Sequence, residues 1–113
     1  MKPDEIYLNH ILNRCKNIQR IISPLTKEHF FQDQDSQDLV VRSLEIIGEA
    51  TTHLSHEFKA AHSDILWRDI KNFRNIIIHQ YFRIDLDFVW GTATKDIPIL
   101  CKQIENVLKE NFS

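Results

Sequence analysis

The segment Phe73–Phe82, F-R-N-I-I-I-H-Q-Y-F, decides how the rest of the chain is read. Four side chains able to bind or react, Arg74, Asn75, His79 and Tyr81, stand there among strongly apolar neighbours. Taken as a helix, the segment puts Asn75 and His79 one turn apart on one face, with Arg74 and Tyr81 sharing an adjacent face. Arg74 and His79 then point about 140° apart, a gap that a long guanidinium arm can close. An arginine grips a phosphate through two parallel N–H bonds, and a histidine moves a proton near neutral pH. The same pattern is also what the solvated edge of a buried helix looks like, since I-I-I must face a core. Spacing alone leaves both readings open.

Around this segment the chain reads as a series of helices. Its 113 residues suffice for one domain with a single core and are too few for two, so residues 1–113 are read as a single helical domain. Two glycines and three prolines suit long helices with short connections and argue against a many-turned barrel or sandwich. Upstream, Asp4 is placed as the N-cap of a first helix whose apolar stripe is Ile6, Leu8, Ile11, Leu12, Cys15, Ile18, Ile21 and Ile22. Thr26 caps a short segment in which Phe30 and Phe31 close over the core. Ser36 or Asp35 caps a helix from about Gln37 to Phe58 or His62, with Leu39, Val40, Leu44, Ile47, Ala50 and Leu54 inward. Gly48 inside that helix costs about 1 kcal/mol relative to alanine, which is easiest to understand if another backbone packs closely on it. The central helix buries Trp67, Ile70, Phe73 and Ile77, while Arg68 and Asp69 face solvent. After F-R-I-D-L-D, with Asp85 or Asp87 as cap, a last helix carries Phe88 to Leu108, kinked where Pro98 removes a hydrogen bond. The expected fold is all-α, an up-and-down bundle of four principal helices plus one or two short ones.

Charge and cysteine content limit the function classes. A formal charge of −2, from 14 Lys and Arg against 16 Asp and Glu, does not mark a bulk nucleic-acid binder. Any such ligand must meet a local basic pocket or a groove built by an oligomer. Cys15 and Cys101 fall on apolar faces far apart in sequence and read as buried thiols. His53, His56 and His62 form no H-x-x-x-H pair and have no cysteine or carboxylate cluster beside them, so no metal site and no cofactor are expected. The opening M-K-P-D-E resembles no signal peptide and no apolar run reaches membrane-spanning length; the expectation is a cytoplasmic protein with no membrane partner. Arg42, Glu45 and Glu49 share one side of their helix. They read as a solvated stripe or, for Arg42 and Glu49, as groups that orient Arg74 or His79.

Four stretches in order carry a wider likeness: S-Q-D-L-V-V-R-S-L-E-I-I-G-E-A at 36–50, W-R-D-I at 67–70, R-N-I-I-I-H-Q-Y-F at 74–82 and D-L-D-F-V-W at 85–90. Through them nearly the whole chain resembles the HepT-like branch of the HEPN proteins, small all-helical ribonuclease toxins of prokaryotes. The family motif, Arg, four residues, His, one residue, Tyr, falls on Arg74, His79 and Tyr81, with Asn75 as the polar residue after the arginine. The resemblance implies the toxin of a toxin–antitoxin pair, a metal-independent endoribonuclease acting as a homodimer. Arg74 binds the scissile phosphate, His79 acts as general acid or base, and Asn75 positions one of them. It also implies a minimal nucleotidyltransferase antitoxin that transfers AMP onto Tyr81, placing an anionic group in the phosphate site. Arg83 stands where many relatives carry glycine, and Phe73 where methionine is frequent. The alternative is a non-catalytic HEPN module that binds a nucleotide or the nucleotidyltransferase.

Overall fold

The computed structural model describes residues 3–75, 77–78 and 83–112, with positions 74, 75, 77, 78 and 83 described by backbone alone. The fold is all-α. The described elements are α1 (Pro3–Ile22), α2 (Lys27–Gln32), α3 (Gln34–Thr52), α4 (His56–Ala61), α5 (Trp67–Lys71), a 3₁₀ turn (Asn72–Asn75), strands β1 (Ile77–Ile78) and β2 (Arg83–Ile84), α6 (Leu86–Gly91), a π turn (Thr92–Asp96) and α7 (Ile97–Phe112). Helix α1 packs against both α3 and α7, so it is the central post of the bundle. Its buried residues, Leu8, Ile11, Cys15, Ile18 and Ile22, recur at alternating steps of three and four, the spacing that keeps one stripe inward. They join Val40, Leu44 and Ile47 of α3 and Ile97, Leu100, Ile104 and Val107 of α7 in one apolar core.

Three of the expected boundaries shift, each for a physical reason. Asp4 is not a cap for its own helix. It lies inside α1, and its carboxylate accepts from the Ser55 backbone N–H (2.9 Å) and the Ser55 hydroxyl (2.7 Å). Ser55 in turn caps α4 by accepting from Phe58 N–H at 3.2 Å. The long helix expected to reach Phe58 or His62 therefore stops at Thr52, and α4 starts again at His56. The cap of α3 is Asp33, whose carboxylate takes the Ser36 backbone N–H at 3.3 Å and its hydroxyl at 2.8 Å. The two bonds from Ser36 hold the Asp33 carboxyl below the usual range. Thr26 caps α2 as read from the sequence, accepting from His29 N–H, and of the two caps offered for α6 it is Asp85 that accepts from Phe88 N–H.

Replacing Asp4 with alanine is expected to lower the unfolding free energy by about 1–2 kcal/mol, the range for hydrogen bonds to a partly exposed charged acceptor. Chemical denaturation measures it. A variant within experimental error of the parent would show that Ser55 caps α4 without help from α1.

Pro98 stands next to a wider turn. Immediately before it, residues 92–96 form a π turn in which Ile97 N–H reaches Thr92 O. Such a one-turn widening is how a helix absorbs a missing donor without ending. Three residues expected inward, Ile6, Leu39 and Phe88, are exposed at 39%, 53% and 47%. In α3 the buried face turns instead toward Val41, Gly48 and Thr51. Both cysteines are free and buried, as expected. Burial raises both thiols; Cys101, which donates from Sγ to Glu105 Oε1 at 3.3 Å, is pushed up to about 11 by desolvation first and that carboxylate second.

Candidate functional site

The central helix does not run through the motif. Helix α5 ends at Lys71, tightens into the 3₁₀ turn that carries Arg74 and Asn75, and gives way to extended backbone at Ile77–Ile78. The run Ile76–Ile78 explains the change: three consecutive β-branched residues lose rotamer freedom in a helix and favour a pleated backbone. Ile77 pairs with Ile84, and Ile78 with Arg83, in an antiparallel bridge. The helical face expected to join Asn75 to His79, and Arg74 to Tyr81, is therefore interrupted within the described residues. His79 and Tyr81 themselves lie outside the described residues.

Two anchors fix the turn. Phe73, the residue before Arg74, is buried in the core at 6% exposure, and Ile70 one turn earlier is buried with it. Both α5 and the 3₁₀ turn pack against α3. At the other end of α5, Trp67 Nε1 donates to His62 O at 3.0 Å and its ring meets Phe58 edge-on at 5.9 Å. Arg74 and Asn75 thus follow backbone that is anchored on its N-terminal side. That is what a phosphate-binding group needs, since loose placement forfeits orientation.

Arg42 and Glu49 are exposed on α3, and Glu45 is half-buried. Glu49 Oε1 lies 3.5 Å from His53 Nε2 on the same helix. The ring of His53 also stacks on Tyr7 at 4.8 Å between centroids. His62 is held by Nδ1 3.0 Å from Phe58 O. These two histidines thus have local structural partners. Among the described residues no group of three His, Cys, Asp or Glu side chains is disposed to hold a metal ion, and no helix is long and apolar enough to cross a membrane.

On the pocket side of α5 lies a hollow of about 280 Å³ between α5 and α7, lined by Leu66, Ile70, Phe73, Ile99, Leu100 and the carboxylates Asp64, Asp69 and Asp96. Its apolar floor and acidic rim are unsuited to phosphate. The opposite side of α5 carries Arg68 and Lys71, both exposed. Arg68 is in solvent as expected from the sequence. Its i, i+3 spacing to Lys71, followed by Arg74 three residues on, was the available signal.

A family model described as Ribonuclease HepT-like matches residues 11–107. The chain belongs to the HepT-like ribonuclease family. A Caldanaerobacter subterraneus subsp. tengcongensis protein, named a candidate RNase, is 38% identical over 97% of this chain and 98% of its own. A Thermococcus cleftensis protein named a probable ribonuclease HepT is 36% identical over 91% of this chain and 94% of its own. A Methanocaldococcus jannaschii protein named a gamma-glutamylcyclotransferase and candidate RNase is 38% identical over 96% of this chain but only 49% of its own, so the HepT-like chain spans about half of that relative. No solved structure matches.

Proposed function

We infer that this HepT-like protein is a metal-independent endoribonuclease, and that it acts as the toxin of a toxin–antitoxin pair. The observation that carries the reading is the family match across residues 11–107, which includes R-N-I-I-I-H-Q-Y at 74–81. The anchored turn beneath Arg74 and Asn75 supports it. In the reaction, the 2′-oxygen of the RNA bonds to the adjacent phosphorus while the bond from phosphorus to the 5′-oxygen breaks. His79 takes the 2′-hydroxyl proton or protonates the departing 5′-oxygen. Arg74 holds the non-bridging oxygens and stabilises their growing negative charge, the service a metal ion gives elsewhere. Asn75 positions the phosphate or the imidazole.

The protein acts as a homodimer in this reading. Two copies of Arg74 facing one groove concentrate positive charge that a chain of formal charge −2 otherwise lacks. Tyr81 is the acceptor through which a minimal nucleotidyltransferase antitoxin silences the enzyme: the phenol oxygen attacks the α-phosphorus of ATP, and pyrophosphate leaves. The attached AMP places a phosphate beside Arg74 and His79 and so competes with RNA for the same charge.

The test is RNA cleavage by purified protein in EDTA, with intact mass confirming that Tyr81 is unmodified. Cleavage is expected, and is expected to stop after AMP transfer to the parent but to persist in Tyr81→Phe treated the same way. Unmodified protein that cleaves none of a broad RNA set would instead favour the non-catalytic binding module.

A further inference from the structure

Helix α5 has two chemically opposite sides. Leu66, Asp69, Ile70 and Phe73 line the apolar hollow with its three carboxylates. Arg68 and Lys71 lie on the other side, both exposed, and neither is in an ion pair with a described residue. At 100° per residue the two cations stand about 60° apart and about 4.5 Å along the axis. The 3₁₀ turn that follows has three residues per turn and about 2 Å rise. It therefore sets the Cα of Arg74 close to the line of Lys71, about 5–6 Å further on. Three cationic positions thus follow one edge of α5 and the 3₁₀ turn after it, and end at the arginine of the motif.

We propose that Arg68 and Lys71 continue the phosphate grip of Arg74 along the RNA strand, each meeting a phosphate next to the scissile one. The proposal rests on the ribonuclease reading of Arg74 and His79 and adds the path of the substrate. Single-stranded RNA lies along the basic edge of α5, because the carboxylates Asp64, Asp69 and Asp96 repel it from the opposite side. The spacing of the three positions is of the order of that between successive phosphates of one strand. Contacts of this kind fix register on the strand and carry no base preference, so the track supplies affinity while the bases are read elsewhere.

The experiment uses the double variant Arg68→Gln/Lys71→Gln, with Lys16→Gln on the exposed face of α1 as control. Binding of a fluorescein-labelled oligouridylate is followed against salt in a His79→Ala background, where no cleavage intervenes. Each lost phosphate contact is expected to flatten the slope of log K against log salt by about 0.7, so the double variant should flatten it by about 1.4. In the active background, KM for RNA is expected to rise about tenfold, with kcat within about threefold. Lys16→Gln should change neither, and Arg68→Lys/Lys71→Arg should restore both. An unchanged slope and KM in a protein that cleaves RNA overturns the track and leaves the ribonuclease reading intact. If the parent cleaves no RNA but the slope still flattens in the double variant, the track stands and the ribonuclease reading fails. A double variant whose unfolding midpoint falls and whose RNA binding returns in Arg68→Lys/Lys71→Arg only together with that midpoint has lost structure, and that result also counts against the track.

Discussion

Replacing His79 with alanine is expected to lower kcat for RNA cleavage by about 10²–10⁴-fold, the usual contribution of a positioned general acid–base group. Alanine leaves the 2′-hydroxyl without a proton acceptor, or the 5′-oxygen without a donor. The loss should therefore fall on kcat, with RNA affinity nearly unchanged. Arg74→Ala should differ in kind. It removes both ground-state binding of the phosphate and stabilisation of its developing charge, so KM rises while kcat falls by about 10²–10³. Single-turnover cleavage in EDTA, on samples whose mass excludes adenylylation, separates the two. His79→Ala activity within tenfold of the parent would move the proton transfer to another residue.

The largest stability effect is expected at Phe30. Helix α2 has six residues, far too short to hold itself in water, and Phe30 is its buried anchor at 0% exposure. The ring packs against Trp90 at 5.3 Å between centroids, which ties α2 to α6. The backbone behind it is tied to α3, because Gln37 Nε2 donates to both Phe30 O (3.0 Å) and Phe31 O (3.1 Å). Phe30→Ala should therefore cost about 3–5 kcal/mol, through lost burial and a cavity that α2 cannot easily fill. Phe31→Ala, at a half-buried neighbour, should cost roughly 1 kcal/mol. Urea unfolding at one fixed protein concentration measures both, since dimerisation would make the midpoint concentration-dependent. Equal costs for the two would mean that α2 is held by the Gln37 bonds rather than by its aromatic anchor.

The effect at Phe30 bears on the site only indirectly. Arg74 and Asn75 are anchored through Phe73 and Ile70 to α3, on backbone that does not include α2. A Phe30→Ala protein that remains folded under assay conditions should cleave RNA at nearly the parental rate.

Sequence alone was enough for the helical class and the family. Sparse glycine and proline, and stripes such as Leu8, Ile11, Cys15, Ile18 and Ile22, record helix geometry directly, because burial of one face repeats every 3.6 residues. Thr26 and Asp85 could be read as caps because each bonds a backbone N–H three residues away. Features that depend on distant partners could not be read this way. Asp4 looks like a local cap until Ser55, 51 residues on, is folded against it. Leu39 and Phe88 fit an apolar stripe, yet only the packing of neighbouring helices decided that Val41 and Val89 would be buried in that part of the fold. The end of α5 is the same kind of decision. Periodicity carried a helix through I-I-I, whereas the pairing of Ile77–Ile78 with Arg83–Ile84 draws on a strand partner that no local window contains. The backbone that carries Arg74 and Asn75 was settled by tertiary contact with α3.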